Sequence, residues 1–288
     1  MTEGRVVVGF GGGPPGRDAL AFGVRWCQSS GDILVVATVH PGQAPVGAGR
    51  VDAEWVAYER EEVAALLDQA RALVPEGVKA EFRSVDAGSA SHGLHELAED
   101  AGTPLVVLGS RRAAETARTF PGSTAVRVFS GAGSPVAIVP GGYAAGDDGP
   151  LTQVTTAFVD TADGRVALQH GSRIARHLKA DLRVVTVVPD TLVEAGIGDR
   201  ARFGRDQRAD YERALAAAVA TLDHEPKTAV LDGGVAETLA EIGPDEADLI
   251  VVGSRGYGPV RRVLLGGVAN RVVRHARVPV VVVPRGEG

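Results

Sequence analysis

The chain has 288 residues, of which 44% are hydrophobic and 23% charged, and its formal net charge is −6 at pH 7. This composition is typical of a soluble globular protein, and the net negative charge argues against sequence-independent binding to nucleic acid. The single cysteine, Cys27, excludes an internal disulfide framework and a cysteine-based zinc cluster, so we expect a reducing, cytoplasmic environment.

The apolar runs of the chain are short, rich in valine, and alternate with helical stretches. Runs without polar alternation are typical of strands buried on both faces of a parallel sheet, and their alternation with helices predicts βαβ units. The clearest predicted strands and helices span 5–10, 18–29, 33–39 and 92–101 in the first half and 154–159, 166–178, 182–188 and 235–242 in the second. No run is long enough for a helix that crosses a bilayer, and the N-terminus shows no signal-peptide pattern, so we expect no membrane partner.

Two segments near the end of each half repeat at one fixed distance. Leu105–Arg111 (LVVLGSR) returns as Leu249–Arg255 (LIVVGSR), and Pro135–Pro140 returns as Pro279–Pro284. Both offsets are 144 positions (249 − 105 and 279 − 135). A shared offset without a gap indicates that one domain has been duplicated.

The duplicated pattern predicts an α/β fold of two tandem, doubly wound, five-stranded parallel-sheet (Rossmann-like) domains. Residues 141–150 are rich in glycine, acidic and end in proline, which is typical of a linker, so we place the domains at 1–141 and 152–288. We expect the domains to pack as a pseudo-dimer through their last strands, Val136–Val139 and Val280–Val283, because an uncovered apolar sheet edge would favour aggregation.

The segment that best predicts chemistry follows the fourth strand of the second half. It reads Gly253-Ser-Arg-Gly256, nine further residues, then Gly266-Gly267 at the start of the last predicted helix. Glycines let the backbone approach a ligand closely, and main-chain N–H groups at a helix N-terminus favour phosphate. Ligands of open parallel sheets bind beyond the carboxyl ends of the strands, where this segment lies. The spacing therefore predicts a phosphate site that needs no catalytic side chain.

This spacing, G-x2-G-x9-G-[S/T] after a strand and before a helix, resembles the ATP-binding signature of universal stress proteins. The resemblance covers nearly the whole chain and implies a cytoplasmic stress-response or regulatory protein that binds ATP, with or without Mg²⁺, or a related adenine nucleotide. Members of that family typically carry an Asp at the end of the first strand, near the adenosine, and Asp160 stands at this position in the second half. The resemblance implies these contacts in the second half: Asp160, Val187, Gly253, Ser254, Arg255, Gly256, Gly266, Gly267 and Val268.

The first half keeps the signature less completely. It reads Gly109-Ser-Arg-Arg112, nine residues, and Gly122-Ser123, so an arginine replaces the second glycine, and its first strand ends without an Asp. The second half has Gly267 where the family prefers Ser or Thr. We therefore expect the working site in the second half and a degenerate site in the first. Candidate contacts of the first-half site are Gly109, Arg111, Gly122 and Ser123.

Other interpretations of these residues compete with nucleotide binding. The stretch 11–16 matches G-x-G-x-x-G after a strand, but Pro14 and Pro15 remove two N–H groups that a dinucleotide site needs. The glycines could be ordinary turn residues, and Asp160 is also a good helix N-cap. The sequence has no Ser/His/Asp set, carboxylate pair or metal motif, so we expect a binding protein rather than a dedicated enzyme. Two alternatives stay open: a slow ATPase that uses Asp160, and an interaction protein with decayed sites, its protein partner and any homodimerisation unassigned.

Overall fold

The computed structural model describes residues 4–40, 51–100, 105–112, 119–121, 133–146, 149–189, 200–254 and 266–284. Side chains are described at all of these positions except 51–56, 112, 119–121 and 200–205. The chain forms two compact units, Met1–Pro150 and Leu151–Gly288. The first unit therefore includes the segment 141–150, which the sequence predicted to be a linker.

The first unit is built on a parallel sheet with strand order β3-β2-β1-β4-β6. Its elements are β1 (Arg5–Gly9), α1 (Pro14–Ser30), β2 (Ile33–His40), α2 (Val51–Leu73), β3 (Ala80–Asp86), α3 (Ala90–Asp100), β4 (Leu105–Arg112), β5 (Thr119–Pro121), β6 (Val136–Val139) and a 3₁₀ helix (Tyr143–Ala145). Val7 at the centre of β1 is fully buried and pairs with Val35 and Val106 on its two sides. The short strand β5 pairs antiparallel with β4 and was not predicted, because three residues ending in proline carry no strand pattern.

The second unit repeats this order as β11-β10-β7-β8-β9, with every neighbouring pair parallel. Its elements are β7 (Gln153–Ala157), α4 (Ala162–Leu178), β8 (Asp181–Val188), α5 (Arg200–Val219), β9 (Lys227–Asp232), α6 (Val235–Glu241), β10 (Leu249–Gly253), α7 (Gly267–His275) and β11 (Val280–Val283). Two tandem five-stranded parallel sheets with alternating helices confirm the predicted fold class. Within the described ranges, no helix is both long and apolar enough to cross a membrane.

The strand order of the second unit reverses direction at β7. Strands β8 and β9 extend the sheet on one side of β7, whereas β10 and β11 extend it on the other. Right-handed crossovers therefore place α4 and α5 on one face of the sheet and α6 and α7 on the other. The two pairs of helices diverge at the carboxyl ends of β7 and β10, which opens a crevice there.

The turns that follow β1 and β7 have the same hydrogen bonds. The Gly13 amide donates to the Gly11 carbonyl at 2.9 Å, and the Thr161 amide donates to the Val159 carbonyl at 2.7 Å. These equivalent residues lie 148 positions apart (161 − 13 and 159 − 11). Equivalent residues of the two units are thus 148 apart in their early parts and 144 apart from the fourth parallel strand onward.

Part of the expected linker is fixed on the first unit. The carboxylate of Asp18, which is 3% exposed, accepts hydrogen bonds from the amides of Gly142 and Ala144 at 3.0 and 2.8 Å. The buried Arg25 guanidinium donates to the Tyr143 hydroxyl at 2.7 Å. These bonds hold the short 3₁₀ helix against α1, so residues 142–145 are packed on the first unit.

Strand β7 carries buried hydroxyls where β1 carries methyl groups. The hydroxyl of Thr156 is fully buried and has no hydrogen-bond partner among the described residues. It lies so close to Gly171 that a Cβ there would overlap it. The equivalent pair in the first unit is Val8 against Gly23 (156 − 148 and 171 − 148), so a valine fits this position of the fold.

We expect Thr156→Val to raise the free energy of unfolding of the second unit by about 1 kcal/mol, because a methyl group replaces an unpaired buried hydroxyl of the same shape. Urea denaturation followed by circular dichroism measures the change. Thr38→Val is the matched control: its buried hydroxyl donates to the Phe10 carbonyl at 3.0 Å, so its loss should lower the free energy by about 1 kcal/mol. If both variants lose the same free energy of unfolding, the Thr156 hydroxyl must have a hydrogen-bond partner, and the prediction is wrong.

Candidate functional site

A cavity of ≈ 340 Å³ occupies the crevice of the second unit. The carboxyl ends of β7, β8 and β10 form its floor, and the first turns of α4 and α7 reach its edge. Most of its wall is apolar, as in Phe158, Val185 and Val252, whereas Thr161 and Asp163 bring polar side chains to it. A concave, mostly apolar pocket with few polar groups is typical of a small-molecule site.

Four residues predicted from the sequence line this cavity, and they come from three separate parts of the chain: Val187, Gly253, Gly266 and Val268. Ser254 is buried just beyond Gly253, where its amide donates to the Val283 carbonyl at 3.0 Å. The Ser254 hydroxyl has no partner in the part of the chain that the structure describes. Arg255, Gly256, Gly122 and Ser123 lie outside the described residues.

Asp160 lies at the turn after β7, but it is not among the residues that line the cavity. Its carboxylate forms an ion pair with Arg165 at 2.6 Å, and its side chain is half exposed. The hydroxyl of Thr161, not the carboxylate of Asp160, caps α4 by accepting from the Gly164 amide at 3.1 Å. The acidic residue among those that line the cavity is Asp163, in the first turn of α4.

The N-terminus of α7 lies at the cavity edge. Gly266 is the N-cap of this helix and provides no side-chain cap, so within the described residues the first-turn amides have no intrahelical acceptor and no side-chain cap. Such amides and the helix dipole favour an anion. Among the described residues, no atom lies within 4 Å of a Cβ placed on the exposed Gly267, so they leave room for a side chain there.

Two arginines of α7 are engaged with neighbouring side chains. Arg271 donates to the Glu237 carboxylate of α6 at 2.9 Å, and Arg274 donates to Asn270 at 3.2 Å. A hydrogen bond from its own backbone amide, followed by the bond from Arg271, lowers the pKa of the Glu237 carboxyl. The carboxylate is therefore charged at neutral pH, and the pair links the two helices beside the cavity.

The helices α5 and α6 contribute cavity residues that the sequence did not mark as part of a site. Tyr211 of α5 and both Val235 and Leu239 of α6 line the cavity. Tyr211 belongs to the apolar stripe of its helix, four residues before the buried Leu215, which predicted a core position. That Tyr211 lines the cavity follows only from the fold.

The family model of the universal stress proteins matches residues 3–140 and again residues 154–284. The chain belongs to the universal stress protein family. Universal stress protein Rv2319c of Mycobacterium tuberculosis is 26% identical over 291 residues, which cover 97% of this chain and 99% of that relative. A universal stress protein from Archaeoglobus fulgidus DSM 4304 has the same fold, with a TM-score of 0.65 and 20% identity over 99% of this chain and 100% of that chain. A universal stress protein solved in complex with cAMP is 23% identical and covers 48% of this chain and 98% of its own, with a TM-score of 0.39.

In the first unit of this universal stress protein, the start of α1 packs closely against the end of β4. A Cβ on Gly109 would overlap the carbonyl oxygen of Pro15, so this glycine is required for close packing of the helix on the strand. At the equivalent place in the second unit, a Cβ on Gly253 would lie 3.1 Å from the carbonyl oxygen of Asp163. The predicted site residue Gly109 therefore has a packing role, and Arg111 is exposed on β4.

The turn after β1 differs from the turn after β7 in ways that disfavour an anion. Gly12 has a φ of +73° and stands where the second unit has Asp160 (160 − 148), and the Leu66 side chain packs directly on it. Pro14 and Pro15 occupy the first positions of α1, so two N–H donors are missing from this helix N-terminus. These features support the prediction of a degenerate first site.

We expect Gly109→Ala to lower the free energy of unfolding of the first unit by about 1–3 kcal/mol, because the added methyl group must displace backbone of α1. Gly253→Ala should cost less, since its Cβ meets the equivalent carbonyl at 3.1 Å. Urea unfolding of the two variants measures both values. A Gly109→Ala protein as stable as the unchanged chain would disprove the packing role.

Proposed function

We propose that this universal stress protein is a cytoplasmic stress-response or regulatory protein that binds ATP or a related adenine nucleotide in the cavity of its second unit. The observation that carries the proposal is the convergence of Val187, Gly253, Gly266 and Val268 on one cavity at the switch point of the sheet. These residues come from β8, β10 and the start of α7, and the family resemblance implies a nucleotide contact for all four.

The two ends of the crevice suit the two ends of a nucleotide. The apolar side chains of Phe158, Val185 and Val187 favour a flat, weakly polar ring. The uncapped N-terminus of α7, beginning at Gly267, favours phosphate oxygens. A cavity of ≈ 340 Å³ lies within the size range of ligand pockets, about 300–1,000 Å³.

The residues at the cavity could hold Mg²⁺ only together with the phosphates of a bound nucleotide. Magnesium is commonly held by one or two carboxylates together with substrate phosphates and water. Asp163 is the acidic residue among those that line the cavity, and the described part of the chain contains no group of three or more His, Cys, Asp or Glu that could hold a metal on its own. The ion would therefore enter with ATP and add charge neutralisation beside the helix N-terminus.

Nucleotide binding would regulate this protein through its shape. A ligand shifts a conformational equilibrium only by its difference in affinity for the two states. The cavity walls come from both faces of the sheet, from α4 and α5 on one side and α6 and α7 on the other. A bound nucleotide would contact both walls and favour the arrangement that brings them together.

We expect Mg-ATP at one hundred times its dissociation constant to stabilise the second unit by about 2.7 kcal/mol. This corresponds to a rise of roughly 5–10 °C in the melting temperature. Differential scanning calorimetry, with Mg²⁺ alone and with inorganic tripolyphosphate as controls, measures the shift. No shift, together with no nucleotide in the purified protein, would exclude nucleotide binding and favour an interaction protein.

Gly267→Ser restores the hydroxyl that the family signature carries. Because a Cβ at this position meets no neighbour, the serine should fit and donate one hydrogen bond to a phosphate oxygen. We expect the affinity for Mg-ATP to rise about two- to tenfold in isothermal titration calorimetry, the equivalent of about 0.5–1.5 kcal/mol. Gly267→Ala is the matched control, because it adds the Cβ without the hydroxyl and should leave the affinity within about twofold. An equal effect of both substitutions would show that the hydroxyl does not reach the phosphates.

A further inference from the structure

Tyr211 of α5 lines the cavity together with Val235 and Leu239 of α6. It stands on the core-facing stripe of α5, four residues before the buried Leu215. Helical side chains lean toward the N-terminus of their helix, and α5 begins at the carboxyl end of the sheet. This lean directs the ring of Tyr211 toward the carboxyl end of the sheet, where the cavity lies.

The position of Tyr211 within the sheet order separates it from the phosphate end of the crevice. The α7 N-terminus follows β10, whereas α5 follows β8, and β7 lies between these two strands. Two strand spacings amount to roughly 10 Å. A nucleotide with its phosphates at Gly266 would thus place its ring, rather than its phosphates, near Tyr211.

The first unit supplies an internal comparison for this residue. The offset of 148 that relates the early parts of the units pairs Leu215 with Leu67 and Tyr211 with Val63 (215 − 67 and 211 − 63). Leu67 and Val63 are both buried. The first unit, in which Leu66 packs on Gly12, therefore has a valine at this position, and the second unit has a tyrosine.

The hydroxyl of Tyr211 forms no hydrogen bond within the part of the chain that the structure describes, and the side chain is only half buried. A tyrosine ring at a cavity provides an apolar face for stacking and one polar group at its end. We propose that Tyr211 contacts the ring of the bound nucleotide and sets the affinity for the base, which rests on the proposed nucleotide function of this cavity. Tyr211 is thus a specificity-determining residue, whereas the α7 N-terminus holds the phosphates.

The test is isothermal titration calorimetry of the full chain with ATP, adenosine and inorganic tripolyphosphate. Tyr211→Val, which copies the residue of the first unit, should lower the affinity for both ATP and adenosine about tenfold, the size of one base–aromatic contact. Binding of tripolyphosphate, which has no base, should be the same in the variant and in the unchanged protein. Tyr211→Phe keeps the ring and should stay within about threefold of the unchanged affinity for ATP.

Tyr58→Phe is the matched control. Tyr58 lies on α2 of the first unit, is 53% exposed and donates to Glu62 at 2.8 Å, so its substitution should change no affinity. If the unchanged chain binds neither ATP nor adenosine, the proposed function fails and this inference fails with it. If the unchanged chain binds ATP and Tyr211→Val binds it equally well, only the role of Tyr211 is disproved. If Tyr211→Val lowers the affinity for ATP and for tripolyphosphate equally, the proposed role of Tyr211 is also disproved, because an equal loss indicates general damage to the site.

Discussion

The reversal of strand order at the first strand of each parallel sheet is the constraint on which the rest of the structure depends. Crossovers in both directions from this strand are right-handed, so the helices that lead to one side of it and those that lead to the other lie on opposite faces and diverge at its carboxyl end. The resulting crevice is a consequence of backbone topology and exists in both units before any side chain is considered. What differs between the units is which residues surround this edge of the sheet.

In the first unit, backbone and side chains pack closely at this edge of the sheet. The backbone of α1 at Pro15 packs on Gly109, whose equivalent Gly253 lines the cavity of the second unit, and Leu66 packs on Gly12. The prolines at the start of α1 also remove N–H donors that could hold an anion. The same α1 anchors the 3₁₀ helix through Asp18, which makes α1 a packing element on two sides.

The sequence alone predicted the fold because the repeat offset and the valine-rich strands depend on local pattern and spacing. It also predicted the glycines at the carboxyl end of β10 and at the start of α7, since their conformational freedom is useful only at such ends. It did not predict the partner of Asp160, because the ion pair with Arg165 depends on how the turn directs both side chains. Nor did it identify Tyr211 as a cavity residue. Helical spacing distinguishes the core-facing side of a helix from its solvent-facing side, but it does not show which core-facing residues border a cavity.

The asymmetry between the units also defines how a nucleotide could regulate the protein. On the proposed function, a ligand that contacts walls from both faces of the second unit's sheet would stabilise that unit. The favourable free energy of binding would therefore appear as a difference between the units rather than as a uniform stabilisation of the chain. On the proposed function, a partner that distinguishes the bound state from the free state would therefore have to detect the second unit.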